Sequence, residues 1–249
     1  MNGRTLRSPF FEIGPKNLLR LPEIVSVAEA AASAGERHGV SVILTVPTAL
    51  IAPVRTAVPG VFVFAQGVDD EEPGKSVARV LPEALADAGA HGVMLNHDAS
   101  PLAPDALARA IRRAHENGLM TMVCAGDDES VMGLVDLAPT IVLYEPPNLI
   151  GSTESTERPW IPEIDRKVAE HAPGILMMHA GGVSSPDDAF AIMRAGAQGT
   201  GSTSGVLQAK SPPAAAEEFI AATRRGFDAQ RRSSARAERS DRSTARPLV

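Results

Sequence analysis

The chain has 249 residues, of which 44% are hydrophobic, 22% charged and only 4% aromatic, with one cysteine and a net charge of −6. That length suits one large domain with its own core, and a single cysteine excludes an internal disulfide framework. No apolar run approaches the ~18–20 residues of a membrane span, and the opening MNGRTLRSPFFEIG lacks the apolar stretch of a secretory signal. The expectation is therefore a cytoplasmic protein with no membrane partner.

Eight short runs read as strands: 9–13 (PFFEI), 40–45, 61–65, 91–95, 119–124, 140–144, 174–178 and a glycine-rich 198–202. Most are apolar on both faces, as buried parallel strands require. Helical patterns lie between them. Residues 22–36 open with Pro22, 47–56 are interrupted by Pro53, and 76–88 space Val77, Val80, Leu81 and Leu85 helically. Residues 104–117 end at Gly118, 127–136 are short, 186–195 begin with proline and two acids, and 212–227 close the set. Eight strand–helix units in about 220 residues predict a single closed (β/α)8 barrel rather than an open sheet. No GxGxxG follows the first strand, which weakens a dinucleotide reading.

The charge divides the chain. From Arg224 to Val249 eight arginines face three acids, a net +5, which leaves −11 for residues 1–223. The barrel is expected over 1–227, and the Arg/Ser-rich segment 228–249 is expected to be disordered for want of apolar surface to bury. An acidic body with few aromatics offers no nucleic-acid groove.

In such a barrel chemistry sits where strands end. Lys16 follows the first strand, His97 the fourth and Glu145 the sixth. Gly182 and Ser184 follow the seventh, and Ser204 and Gly205 the eighth, in loops of the kind whose backbone amides hold phosphate. A cation, an imidazole and a carboxylate beside a phosphate site suit proton transfer next to a carbonyl. Cys124 reads as a packed residue, and the acidic run Asp69–Glu72 as a solvated loop or an oligomer contact.

Four segments resemble the triosephosphate isomerase family, its shorter archaeal type most of all. They are FAQGVDDEEPGKSVARVLPEALADAGAHGVMLNH, VLYEPPNLIGS, HAGGVSSPDDAFAIMRAGAQGTGSTSGVLQAKSP and, more weakly, FEIGPKN, covering roughly 9–220. The resemblance implies the TIM barrel of that family and a cofactor-free aldose–ketose isomerase of glycolysis and gluconeogenesis. Its substrates would be dihydroxyacetone phosphate and glyceraldehyde 3-phosphate, interconverted through an enediolate. It makes Glu145 the base, His97 the group that polarises the carbonyl and Lys16 the cation that stabilises the enediolate. Gly151, Gly182, Ser184, Ser204 and Gly205 would bind phosphate, residues 146–153 would form a lid, and the protein would be a homo-oligomer.

The chain also departs from the family pattern. Gly14 stands where the resemblance implies an asparagine, Pro15 follows it, and Asp98-Ala99 replace a serine and a glutamate after the histidine. Asp98 is then a candidate partner for Lys16. His179 stands where the archaeal pattern has cysteine, and either contacts substrate or fills its loop. These changes leave two alternatives open: an isomerase of another small phosphorylated sugar such as a tetrose phosphate, or a non-catalytic phosphate-ligand-binding protein.

Overall fold

The computed structural model describes residues 5–149 and 158–244. Eight parallel strands close in sequence order into a barrel: β1 (Phe10–Ile13), β2 (Ser41–Val46), β3 (Phe62–Ala65), β4 (Gly92–Leu95), β5 (Met120–Ala125), β6 (Ile141–Tyr144), β7 (Leu176–His179) and β8 (Gly199–Gly201). All eight overlap the runs read from the sequence. Closure is made by β1 against β8, with Phe10 opposite Gly199 and Glu12 opposite Gly201.

The two glycines that weaken the sequence signal of β8 have a packing reason. A Cβ on Gly199 would stand 2.3 Å from the Phe10 ring, and one on Gly201 would stand 2.7 Å from both the Glu12 carbonyl and the Met178 methyl. Gly92 on β4 is held in the same way by the Phe64 ring. Large side chains from β1 and β3 thus fill the lower barrel, and β8 and β4 give way to them.

The helices ring the barrel: α1 (Leu21–His38), α2 (Ile51–Ala57), α3 (Pro82–Asp87), α4 (Pro104–Glu116), α5 (Asp128–Val135), α6 (Ile161–His171), α7 (Pro186–Ala195), α8 (Ser204–Leu207) and α9 (Pro212–Thr244). α1 stops at Gly39, whose φ of 63° is the left-handed geometry glycine adopts without strain. α7 carries a capping box between Ser185 and Asp188. None of the helices among the described residues is long and apolar enough to cross a membrane.

Three features differ from the sequence reading. α3 begins at Pro82 and not at 76, because residues 69–80 close a loop: Asp69 N–H donates to the Val80 carbonyl, and its carboxylate accepts Val80 N–H. The acidic run in that loop is not simply solvated. Arg79 pairs with Asp69 and Glu71, Arg109 with Asp70, and the buried Arg113 with Glu72 and Glu83. The second difference is α6, absent from the sequence reading although Ile161, Ile164 and Val168 mark its buried stripe.

The third concerns the boundary expected at 227/228. α9 runs past it to Thr244 without a break, with the side chains of Arg231, Arg232, Ser233 and Ser234 exposed. Alanine, arginine, glutamate and glutamine are good helix formers, so a helix that the core nucleates through Ala216, Phe219 and Ile220 can extend beyond its packed face. Residues 245–249 lie outside the described residues.

Candidate active site

β1, β4 and β6 end at one mouth. A cavity of about 480 Å³ opens there, lined among others by Glu12, Lys16, Thr45, Met94, His97, Glu145, Met178 and Ser202. Lys16, His97 and Glu145, which the sequence places on three separate strand ends, are brought together.

Glu145 follows β6 directly. Its N–H donates to the Ala125 carbonyl at 2.9 Å, extending the β5–β6 ladder by one residue before Pro146 and Pro147 end it. The side chain is half-buried. Burial pushes its pKa up, while the Lys16 ammonium, the Gly181 N–H and the Arg158 guanidinium pull the other way. A carboxylate whose basicity is raised this way is a better proton acceptor than an exposed one.

His97 follows a left-handed Asn96 (φ 57°) that is stapled on both sides. Asn96 Nδ2 donates to the Cys124 carbonyl at 3.1 Å, and its Oδ1 accepts the Leu102 N–H at 3.1 Å. The ring Nδ1 of His97 accepts the Ala99 N–H at 3.0 Å. Burial and the Lys16 charge lower its pKa against the opposing pull of Asp98. The imidazole is therefore neutral near pH 7, with Nε2 carrying the proton.

Lys16 lies in the loop after β1 at φ 48°, its carbonyl accepting Gln66 Nε2 at 2.8 Å. The side chain is exposed at the mouth. Among the described residues it makes no ion pair, so Asp98 does not take up the pairing considered for it; Lys16 acts on Glu12, Glu145 and His97 through its field.

The glycine-rich loops lie beside this cavity. Gly181 and Gly182 are both left-handed (φ 77° and 64°), and Ser204 and Gly205 begin the short α8. The first N–H groups of a helix have no intrahelical partner. Thr203 Oγ1 donates to the Gly14 carbonyl and Ser202 Oγ to the Val183 carbonyl, so loops one, seven and eight are tied together. Ser184 is turned elsewhere: its N–H and hydroxyl both go to Asp188 Oδ2 in the α7 cap. Gly151 and residues 150–153 of the expected lid lie outside the described residues.

His179 does not face the cavity. It is buried, its Nε2 lying 2.6 Å from Asp165 Oδ1 on α6, with the Tyr144 ring 5.6 Å away. Cys124 is buried beneath the mouth, and burial together with the two nearby glutamates raises its thiol pKa. That makes it a packed residue and a poor nucleophile.

Two site residues escape the sequence reading. Arg158 is buried and donates Nη1 to the Ala180 carbonyl at 2.7 Å and Nη2 to the Gly181 carbonyl, fixing loop seven beside Glu145. Glu12, on β1, projects into the cavity from its floor and is only 7% exposed. The signal for Glu12 was present: an acid inside an otherwise apolar strand is expensive unless the site uses it.

The sequence profile of triosephosphate isomerase matches residues 16–222. The chain belongs to the triosephosphate isomerase family. It is 31% identical over 198 residues to the triosephosphate isomerase of Sulfurisphaera tokodaii, covering 79% of this chain and 86% of that one. With the triosephosphate isomerase of Pyrobaculum arsenaticum it shares 34% identity over 189 residues, 75% of this chain and 84% of the relative. In fold it is similar to the crystal structure of triosephosphate isomerase from Bartonella henselae, with a TM-score of 0.65 at 16% identity over 86% of this chain and 97% of the other. The family match thus spans the barrel from Lys16 to the first third of α9, and the cavity sits at the strand ends where barrels of this kind carry their chemistry.

Proposed function

We propose that this protein interconverts dihydroxyacetone phosphate and glyceraldehyde 3-phosphate by proton transfer. The observation that carries this reading is the convergence of Glu145, His97 and Lys16 on one cavity beside glycine-rich loops seven and eight. Glu145 takes a proton from the carbon next to the carbonyl. The electron pair moves onto the carbonyl oxygen, giving an enediolate, and the proton returns to the neighbouring carbon. His97 Nε2–H faces that oxygen as a neutral donor, and the Lys16 charge favours the negative intermediate. The phosphate is held by amides of Gly182, Ser204 and Gly205, with Gly151 and Ser184 completing the set once the site is filled. The proton is conserved and no electron leaves the substrate, so the chain needs no cofactor for the step.

We place the protein in the cytoplasm, in keeping with its single, unpaired cysteine. We further propose that it is a homo-oligomer. Val77 at the tip of loop three is 85% exposed and Leu18 beside the cavity 62%, and both gain by being covered.

A coupled isomerisation assay with both triose phosphates tests the function, with tetrose phosphates run in parallel. Turnover of the trioses is expected. Turnover confined to a tetrose phosphate would overturn the substrate, and none with any sugar phosphate would overturn the activity. Sedimentation equilibrium reads the oligomer.

A further inference from the structure

The cavity floor holds two polar groups that the proton transfer just described does not use. The Glu12 carboxyl projects into it from β1 and the Thr45 hydroxyl from the adjoining β2. Thr45 is 1% exposed and its Oγ1 has no hydrogen-bond partner. It lies near enough to Glu12 to stabilise the carboxylate, yet outside the alignment of a full hydrogen bond. Burying such a hydroxyl without a partner is costly, so the floor is built to receive an oxygen from above. Space for the Glu12 carboxyl comes from Gly14, where a Cβ would lie 2.9 Å from Glu12 Oε1. The family resemblance implies an asparagine at that position; here the polar group is supplied from the strand instead.

We infer that Glu12 is a substrate-binding residue in its neutral, protonated form, and that with Thr45 it hydrogen-bonds an oxygen of the sugar chain. A carboxylic acid offers one donor and one acceptor, which matches a hydroxyl or a carbonyl that exchanges roles during isomerisation.

The charge state follows from the surroundings. Burial dominates and raises the Glu12 pKa to about 7; Thr45 lowers it, the Glu145 carboxylate raises it and Lys16 lowers it. Cys124 on β5, His97 and Asp98 after β4, and Arg158 beside Glu145 are further titratable groups around this mouth, and β8 places Gly201 beside Glu12. The negative Glu145 carboxylate across the cavity thus adds to burial in favouring the neutral form of Glu12.

This inference rests on the isomerase reading for its substrate class, but its test need not use turnover. Two phosphate monoesters serve as probes, glycerol 3-phosphate and methyl phosphate, which share the phosphate and differ in the sugar hydroxyls. Calorimetry at about pH 6 should show glycerol 3-phosphate binding roughly tenfold tighter than methyl phosphate, the worth of one or two well-made hydrogen bonds. E12A should erase that preference and leave methyl phosphate affinity unchanged. E12Q, which keeps a donor and an acceptor, should preserve it, and preserve it at about pH 8.5, where the wild type loses it. A preference that survives E12A overturns the inference, as does an E12Q preference that fades with pH like the wild type's. Because the readout is binding, wild-type protein without isomerase activity would strike the isomerase reading alone.

Discussion

The Nδ1 of His97 accepts the backbone N–H of Ala99 at 3.0 Å, which fixes the proton of the neutral ring on Nε2. Burial and Lys16 hold the pKa below its ordinary 6.5. Activity that needs this neutral donor is therefore present above that pKa and lost as the pH falls through it. Nitrogen NMR of the labelled ring at about pH 7.5 should show the Nε2–H tautomer. H97Q should cost about 10²–10⁴ in kcat. An imidazolium at that pH would sink the role assigned to His97.

Glu145→Gln removes the proposed base while keeping the shape of the side chain. Turnover should fall by about 10²–10⁴, the range for losing a positioned general base. Methyl phosphate affinity should stay within about threefold, since the proposed phosphate donors lie on other loops. Retained turnover would exclude Glu145 as the base.

Arg158 binds the Ala180 and Gly181 carbonyls and stands beside Glu145, so its loss has two separable effects. R158M leaves two buried carbonyls without their donor and should lower stability by about 2–4 kcal/mol, read by urea unfolding. It also removes a positive neighbour from Glu145, whose pKa then rises further. A carboxylate base works above its pKa, so the acid limb of the pH–rate profile should move to higher pH. An unmoved limb would show that Arg158 acts on the loop alone.

The eight strands were legible because buried parallel strands are apolar on both faces, and Glu145 because it directly follows one of them ahead of Pro146-Pro147. His97 and Lys16 were legible only as strand-end residues; what orients them is not in their own segments. Asn96 reaches across to Cys124, and Gln66 from loop three holds the Lys16 carbonyl, contacts between residues 28 and 50 positions apart. The partner of Ser184 is not legible in its own segment for a local reason: a helix cap competes for the same N–H groups as an anion, and in this structure Asp188 has them. His179 looked like a mouth residue because β7 ends there. The strand's alternation instead turns Met178 into the cavity and His179 outward to α6.

Glu12 also gives the fold a pH dependence of its own. Its folded pKa of about 7 lies above the ordinary 4.5, so its contribution to stability is fully present below about pH 4.5 and is lost as pH rises through 7. E12Q does not titrate, so the difference between the two proteins isolates this group. Between about pH 5 and pH 8.5 the wild type should lose roughly 2–3 kcal/mol relative to E12Q in urea unfolding. Parallel stability curves would mean that Glu12 is ionised throughout.

Gly14 and Glu12 should be energetically coupled, because a side chain at 14 and the carboxyl at 12 claim the same space. Nothing in the Gly14 backbone forbids alanine, since it is not among the residues with positive φ. What opposes G14A is the 2.9 Å approach of the new Cβ to Glu12 Oε1. Alone, G14A should displace the carboxyl from Thr45 and from the substrate, costing roughly tenfold in kcat/KM and about 1 kcal/mol in stability. In an E12A background the same change meets no carboxyl, and its cost should vanish. The double-mutant cycle should then give a coupling energy above about 0.5 kcal/mol, the level that separates touching residues from independent ones. Additive effects would mean that the glycine answers to the loop before Lys16 and not to the acid beneath it.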